Sequence, residues 1–140
     1  TSSSRVMVNG ELGDPIVSKR VFRQGDSLSP FLFILVADVL QQMCCAAFKA
    51  GSLAHPLGSD RWFPVLQYAD DTLLLFQVIM QQAVVIRYIL AAFTDFTDLH
   101  INFDKSTLVP IGLYAGAASE IAALFGCPVS SFPCTYLGLP

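Results

Sequence analysis

Pro64-Val65-Leu66-Gln67-Tyr68-Ala69-Asp70-Asp71-Thr72-Leu73-Leu74-Leu75-Phe76 decides how this chain is read. Two short apolar runs, 64–68 and 72–76, flank Ala69-Asp70-Asp71. That is the pattern of a β-hairpin with two carboxylates at its tip. Adjacent acids in an apolar setting repel one another unless a cation lies beside them. Hard carboxylate oxygens on a rigid tip suit Mg²⁺, which takes one or two protein carboxylates and fills its shell with water and substrate phosphates. Two such ions, about 3.5–4 Å apart, can activate an attacking hydroxyl and stabilise a leaving group. A plain acidic turn also explains the dipeptide, since Asp favours turns. Tyr68-Ala69 and the β-rich flanks weigh against that simpler reading.

Upstream, Arg23-Gln24-Gly25-Asp26-Ser27-Leu28-Ser29-Pro30 is a polar loop running into 31–49, which is apolar around most of its circumference. Ser29 can cap the free amides of that helix, Pro30 fits its first position, and Gly51 is a natural stop. A helix apolar on nearly every side is expected to be buried. Before it, Val6-Met7-Val8 enters a tight turn at Asn9-Gly10, whose residues accept positive φ, and Gly13-Asp14-Pro15 is a second turn signal. Downstream, 81–98 places Val85, Ile89, Ala92 or Phe93, and Phe96 on one stripe, with Arg87 and Asp98 off it, which predicts an amphipathic helix. Residues 101–109 read as a strand that alternates only at its start. Ala117, Ile121, Leu124 and Phe125 predict a short helix closed by Gly126, and 135–139 a final strand. The order predicts an α+β domain, an antiparallel sheet backed by helices.

At 140 residues the chain holds one domain at most. It is 54% hydrophobic and 14% charged, against about 45–50% and about 25% in ordinary soluble domains. That excess predicts apolar surface made to face a neighbour outside the chain. The ends read as cut, with a bare Thr1-Ser2-Ser3-Ser4 at one and 136–140 stopping inside an apolar run at the other. No uninterrupted apolar run approaches the ~18–20 residues of a membrane span, because 31–37 stops at Asp38 and 83–86 at Arg87. Nor is there an N-terminal signal pattern. The expectation is an intracellular protein, in the cytoplasm or nucleus, with no membrane partner. A net charge of −3 lacks the basic face of a phosphate binder, so any such face would belong to a longer protein. Cys44, Cys45, Cys127 and Cys134 form no Cys-x-x-Cys pair and are expected to be free, buried thiols. His55 and His100 lack partners at ligand spacing, and Trp62 beside Arg61 reads as packing.

Two further segments carry chemistry. Arg23 can grip a phosphate in a bidentate manner, Gln24 can bond a base or sugar, and Gly25 lets backbone approach a ligand closely. A Ser-Pro cap accounts for Ser29 and Pro30 but not for the Arg-Gln-Gly-Asp before them. Lys105 follows Ile101-Asn102-Phe103-Asp104 and precedes Ser106. A lysine there could stabilise charge on a transferred phosphate or protonate its leaving group. On residue chemistry alone, an exposed strand-end lysine is the simpler account.

Taken in order, Arg-Gln-Gly-Asp-Ser-Leu-Ser-Pro (23–30), Tyr-Ala-Asp-Asp-Thr (68–72), Ile-Asn-Phe-Asp-Lys-Ser (101–106) and Tyr-Leu-Gly-Leu-Pro (136–140) resemble the palm motifs of non-LTR retrotransposon (LINE-type) reverse transcriptases, plant elements above all. The resemblance runs from about Val6 to Pro140; each motif alone is weak, and four in order are specific. It implies a partial reverse-transcriptase palm over 1–140, with an antiparallel palm-type sheet and a catalytic β-hairpin. It implies an RNA-directed DNA polymerase that transfers nucleotides to a primer 3′-hydroxyl with two Mg²⁺ ions. Asp70 would be the main metal ligand, with Asp71 its acidic neighbour. Tyr68 would lie beside the primer end. Arg23, Gln24 and Gly25 would position nucleotide and template. Lys105 would sit near the leaving pyrophosphate, and Tyr136, Leu137 and Gly138 would support the primer. The implied partners are an RNA template, a DNA primer, deoxynucleoside triphosphates, and fingers, thumb and remaining palm segments.

Several positions depart from the family pattern. Ser27 stands where Pro is usual, Val21-Phe22 where Gly-Leu is usual, and Asp98 where Gly is usual before Leu99. Asp104 sits where a neutral or basic residue is common. The family's first palm motif, which supplies another metal-binding aspartate, would precede Thr1, so the 140 residues alone are expected to be inactive. The departures leave a second reading open, a noncatalytic relic of a retrotransposon palm, kept for nucleic-acid binding or for nothing.

Overall fold

Asn9 and Gly10, at φ 52° and 88°, fold the N-terminal segment back on itself, as their residue types require. In the computed structural model, which describes residues 2–18, 27–58, 65–77, 79–112, 115–134 and 136–137, strand β2 (Met7–Val8) pairs antiparallel with β3 (Glu11–Leu12). Outside them β1 (Ser2–Ser4) pairs with β4 (Ile16–Ser18), Ser3 opposite Val17. Gly13-Asp14-Pro15 does not reverse the chain as expected. It interrupts the ladder between the two pairs, because Pro15 has no N–H to give it, and Gly13 N–H bonds the Val6 carbonyl at 2.9 Å. Thr1–Leu35 and Val36–Pro140 form two compact units.

Helix α1 (Ser29–Lys49) starts with Ser29 inside its first turn rather than ahead of it. Its end is closed by Gly51 at φ 75°. Gly51 N–H reaches the Phe48 carbonyl at 3.0 Å and Ser52 N–H the Ala47 carbonyl at 2.9 Å, the paired bonds of a Schellman stop. The expected burial of α1 is corrected. Only Leu40 and Cys44 are buried, with Val36, Met43, Ala47 and Phe48 packed beside them. Phe31, Ile34 and Leu35 are each more than 60% exposed. One stripe meets the core, and no described element covers the opposite side. By length and composition α1 could also cross a bilayer, contrary to the reading from uninterrupted runs; Asp38, Gln41 and Gln42 in mid-helix would each then be costly in hydrocarbon.

Helix α2 (Met80–Thr97) buries Gln82, Ala83, Ile86, Ile89, Leu90 and Phe93. Of the stripe expected through Val85, Ile89, Ala92 or Phe93, and Phe96, Ile89 and Phe93 are buried as expected, but the centre of the buried face is displaced from the stripe by a little under a quarter turn, at 3.6 residues per turn. Phe96 is 83% exposed. The helix ends where Asp98 takes φ 60° and donates its N–H to the Thr94 carbonyl at 2.8 Å. Thr97 Oγ1 donates to the Phe93 carbonyl at 2.6 Å and accepts from Leu99 N–H at 3.2 Å. Asp98 thus holds the left-handed backbone that a glycine would hold at no steric cost. Asp98→Gly is expected to raise stability by about 0.5–1 kcal/mol, the relief of left-handed backbone less the entropy glycine adds to the unfolded chain. The Asp98–His100 contact, 3.8 Å between exposed side chains, offsets little of that. A thermal melt checks it, and a lower midpoint would contradict it.

Residues 101–109 do not form the expected strand. Asn102 instead builds a turn: its Oδ1 accepts Lys105 N–H at 3.1 Å, and its carbonyl accepts Ser106 Oγ–H at 2.8 Å. Such local side-chain bonds compete with a sheet ladder. Ile101 and Phe103 still face inward against the core, and a parallel bridge joins Leu108 to Val129. Helix α3 (Ala115–Phe125) ends at Gly126, φ 73°, where Gly126 and Cys127 both donate to the Ala122 carbonyl. Of the strand expected at 135–139 only Tyr136 and Leu137 are described, and Leu137 has φ 52°, not extended backbone.

The core of the second unit joins Leu40 and Cys44 of α1, Leu53, Val65, the buried face of α2, and Ile121 and Phe125 of α3. Phe76 meets Phe125 at 6.3 Å between ring centroids, tilted 56°. All four cysteines are free, and Cys44 is fully buried while the others are half-buried. Burial first, and the neighbouring Cys45 second, push the Cys44 thiol up to about 11, so it stays protonated at neutral pH and is a poor nucleophile. The described strands form three separate two-stranded antiparallel pairs rather than the single sheet backed by helices that the sequence predicts. The α+β class stands.

Candidate active site

The hairpin forms as two strands, β5 (Val65–Tyr68) and β6 (Asp71–Leu74), with Val65 opposite Leu74 and Tyr68 opposite Asp71. The turn is therefore the two residues Ala69-Asp70, and Asp71 belongs to the strand rather than the tip. Ala69 has φ 48°, a left-handed value that L-residues other than Asn and Asp seldom take.

Residues directly opposite in a ladder share a face, and faces alternate along a strand. Val65 and Leu74 pack into the core. Leu66, Tyr68, Leu73 and Asp71 form the opposite face, on which Leu66 and Tyr68 are exposed. One side of the hairpin is thus fastened, and the other presents Asp71 and Tyr68 to solvent, with Asp70 in the turn. Both carboxylates are exposed, and neither forms an ion pair with a described residue. Two adjacent hard-oxygen donors, open to solvent and without a basic partner among the described residues, fit Mg²⁺ by donor chemistry. Among the described residues no group of three or more acidic, histidine or cysteine side chains gathers to hold a metal.

Lys105 is exposed on the Asn102 turn. The ring of Phe103 in the same turn lies under the Arg87 guanidinium of α2, 4.9 Å from its centroid. Tyr136 is half-buried and Leu137 exposed. Arg23, Gln24, Gly25 and Gly138 lie outside the described residues, as do Arg61 and Trp62.

Sequence reasoning missed Gln82, the one buried polar residue among those described. Its Oε1 accepts Ala54 N–H at 3.2 Å, and its Nε2 donates to Gln77 Oε1 at 3.4 Å. Gln77 Nε2 in turn donates to the His55 carbonyl at 3.2 Å. The spacing to Ala83 and Ile86 put Gln82 on the inner face once the phase of α2 is known; nothing earlier in the sequence marks it.

Residues 2–140 match the family model described as reverse transcriptase (RNA-dependent DNA polymerase). The chain belongs to that family. It is 38% identical over 68 residues to an uncharacterized mitochondrial protein of Arabidopsis thaliana, a match covering 47% of this chain and 56% of the relative. It is 40% identical over 60 residues to a retrovirus-related Pol polyprotein from the type-1 retrotransposable element R2 of Popillia japonica, covering 43% of this chain and 8% of that protein. The retrotransposon resemblance of the sequence motifs therefore holds. No solved structure matches the chain.

Proposed function

We propose that this chain carries part of the catalytic centre of a non-LTR retrotransposon reverse transcriptase, which extends a primer 3′-hydroxyl by nucleotidyl transfer on an RNA template. The observation that carries the reading is the pair Asp70 and Asp71, exposed and without a basic partner among the described residues, on a hairpin fastened to the core along its other side. Mg²⁺ bound there would supply Lewis-acid activation of the hydroxyl and neutralise the leaving pyrophosphate. The chain's own part would be to hold Asp70 in the turn and Asp71 at the start of β6 as ligands and to set Tyr68 opposite Asp71, where a primer end would lie. Arg23, Gln24 and Gly25 would orient the incoming nucleotide and template. Lys105 would donate a proton to, or balance charge on, the pyrophosphate, and Tyr136, Leu137 and Gly138 would support the primer. Fingers, thumb and the first palm motif would come from the rest of the protein. The exposed apolar side of α1 supports such a neighbour.

A noncatalytic relic is the second reading, favoured by Asp98 holding a backbone that suits glycine. Primer extension separates the two. The full protein, given an RNA template, a DNA primer, deoxynucleoside triphosphates and Mg²⁺, is expected to make complementary DNA. A folded protein that makes none is the relic.

A further inference from the structure

We infer that Asn102 is a positioning residue for Lys105, setting the direction in which the lysine leaves the backbone; this rests on the role proposed above for Lys105. Lys105 N–H is held twice by Asn102, by its Oδ1 at 3.1 Å and by its carbonyl at 3.2 Å. The same carbonyl takes Ser106 Oγ–H at 2.8 Å, and Ser106 N–H bonds the Phe103 carbonyl at 3.2 Å. Residues 102–106 are thereby closed into a turn around the lysine's own amide. The turn is in turn pinned to α2, since Phe103 packs against the core and its ring lies 4.9 Å under the Arg87 guanidinium.

Asn102 is exposed, so water could satisfy its amide without any of these bonds. What the bonds accomplish is geometric. A strand at 101–106 would alternate Lys105 with its neighbours, inward or outward by register. The turn instead leaves Asp104 and Lys105 both exposed while Phe103 stays in the core. A flexible lysine whose backbone origin is fixed searches less space before reaching a phosphate, which is the form that orientation effects take in catalysis.

Single-nucleotide incorporation by the full protein tests this with four variants. Lys105→Ala is expected to lower kcat about 100-fold, as loss of a general acid does. Asn102→Ala is expected to lower kcat about tenfold through misplacement, with KM for the nucleotide and the melting midpoint nearly unchanged. Asn102→Asp keeps an acceptor oxygen for Lys105 N–H and should recover most of that loss. The double variant Asn102→Ala/Lys105→Ala should be no slower than Lys105→Ala, because a positioning residue acts only through its partner. A wild-type rate for Lys105→Ala would remove the role of Lys105 and this inference with it. A slow Lys105→Ala beside a wild-type rate for Asn102→Ala, a multiplicative double variant, or no rescue by Asp would overturn the positioning role and leave Lys105 standing.

Discussion

Asp70→Asn in the full protein should reduce primer extension by about 100- to 1000-fold while leaving the fold intact. A metal-held clamp on a transferred phosphoryl group contributes several kcal/mol of transition-state stabilisation, and each 1.36 kcal/mol is tenfold in rate. Asparagine keeps the size and one oxygen of aspartate but loses the charge that opposes Mg²⁺. Because Asp70 lies exposed in a two-residue turn with no ion pair among the described residues, removing its charge breaks no contact that supports the hairpin. The melting midpoint should therefore stay where it was. Rates at several Mg²⁺ concentrations make the measurement specific, since a weakened ligand set needs more metal to reach its own plateau. Full activity for Asp70→Asn would remove the residue from the metal site.

The second large effect is on stability. Ile86 is 1% exposed and sits at the middle of the buried face of α2. Ile86→Ala removes three carbons from a packed site and should cost about 2–5 kcal/mol, a large part of the ~5–15 kcal/mol that holds a domain folded. Phe96→Ala deletes a larger side chain from the outer flank of the same helix and should cost less than about 0.5 kcal/mol. Denaturant unfolding of both variants reads the phase of α2 directly. If Phe96→Ala proved the more damaging, the helix would present the face that its apolar spacing first implied.

That helix shows why part of the fold was legible and part was not. Turn and cap chemistry is local, so Asn9-Gly10, Gly51 and Gly126 could be placed from residue type alone. The hairpin was legible for the same reason, although Asp71 moved from the tip into β6 once pairing set the register. Direction of burial is not local. Helix α1 is apolar on most sides, and composition cannot say which stripe meets the core; α2 carries Tyr88 and Phe96 on its outer flank, which widen its apolar arc and blur the centre. The strand expected at 101–109 failed because Asn102 offers its neighbours a closer acceptor than any partner strand. Asp70, Asp71 and Lys105 are proposed as site residues from their motifs, whereas Gln82 acts through bonds to residues 28 and 5 positions away in sequence, a pairing that only folding reveals.

Gln82 also bears on how stiff the tip of the hairpin is. The chain leaves His55, forms β5 and β6, and comes back to His55 through Gln77, 22 residues later. Both ends of that excursion are tied to the first turn of α2, through the Ala54 amide and the Gln77 side chain. In mechanical terms the hairpin is a beam clamped at its root and bedded along one side. A load pressed on Asp70 would pass down the strands both to the core beneath Val65 and Leu74 and to the bonds at the root. Part of the hold on the carboxylates thus lies at the far end of the beam, in one buried amide that bonds no residue of the tip.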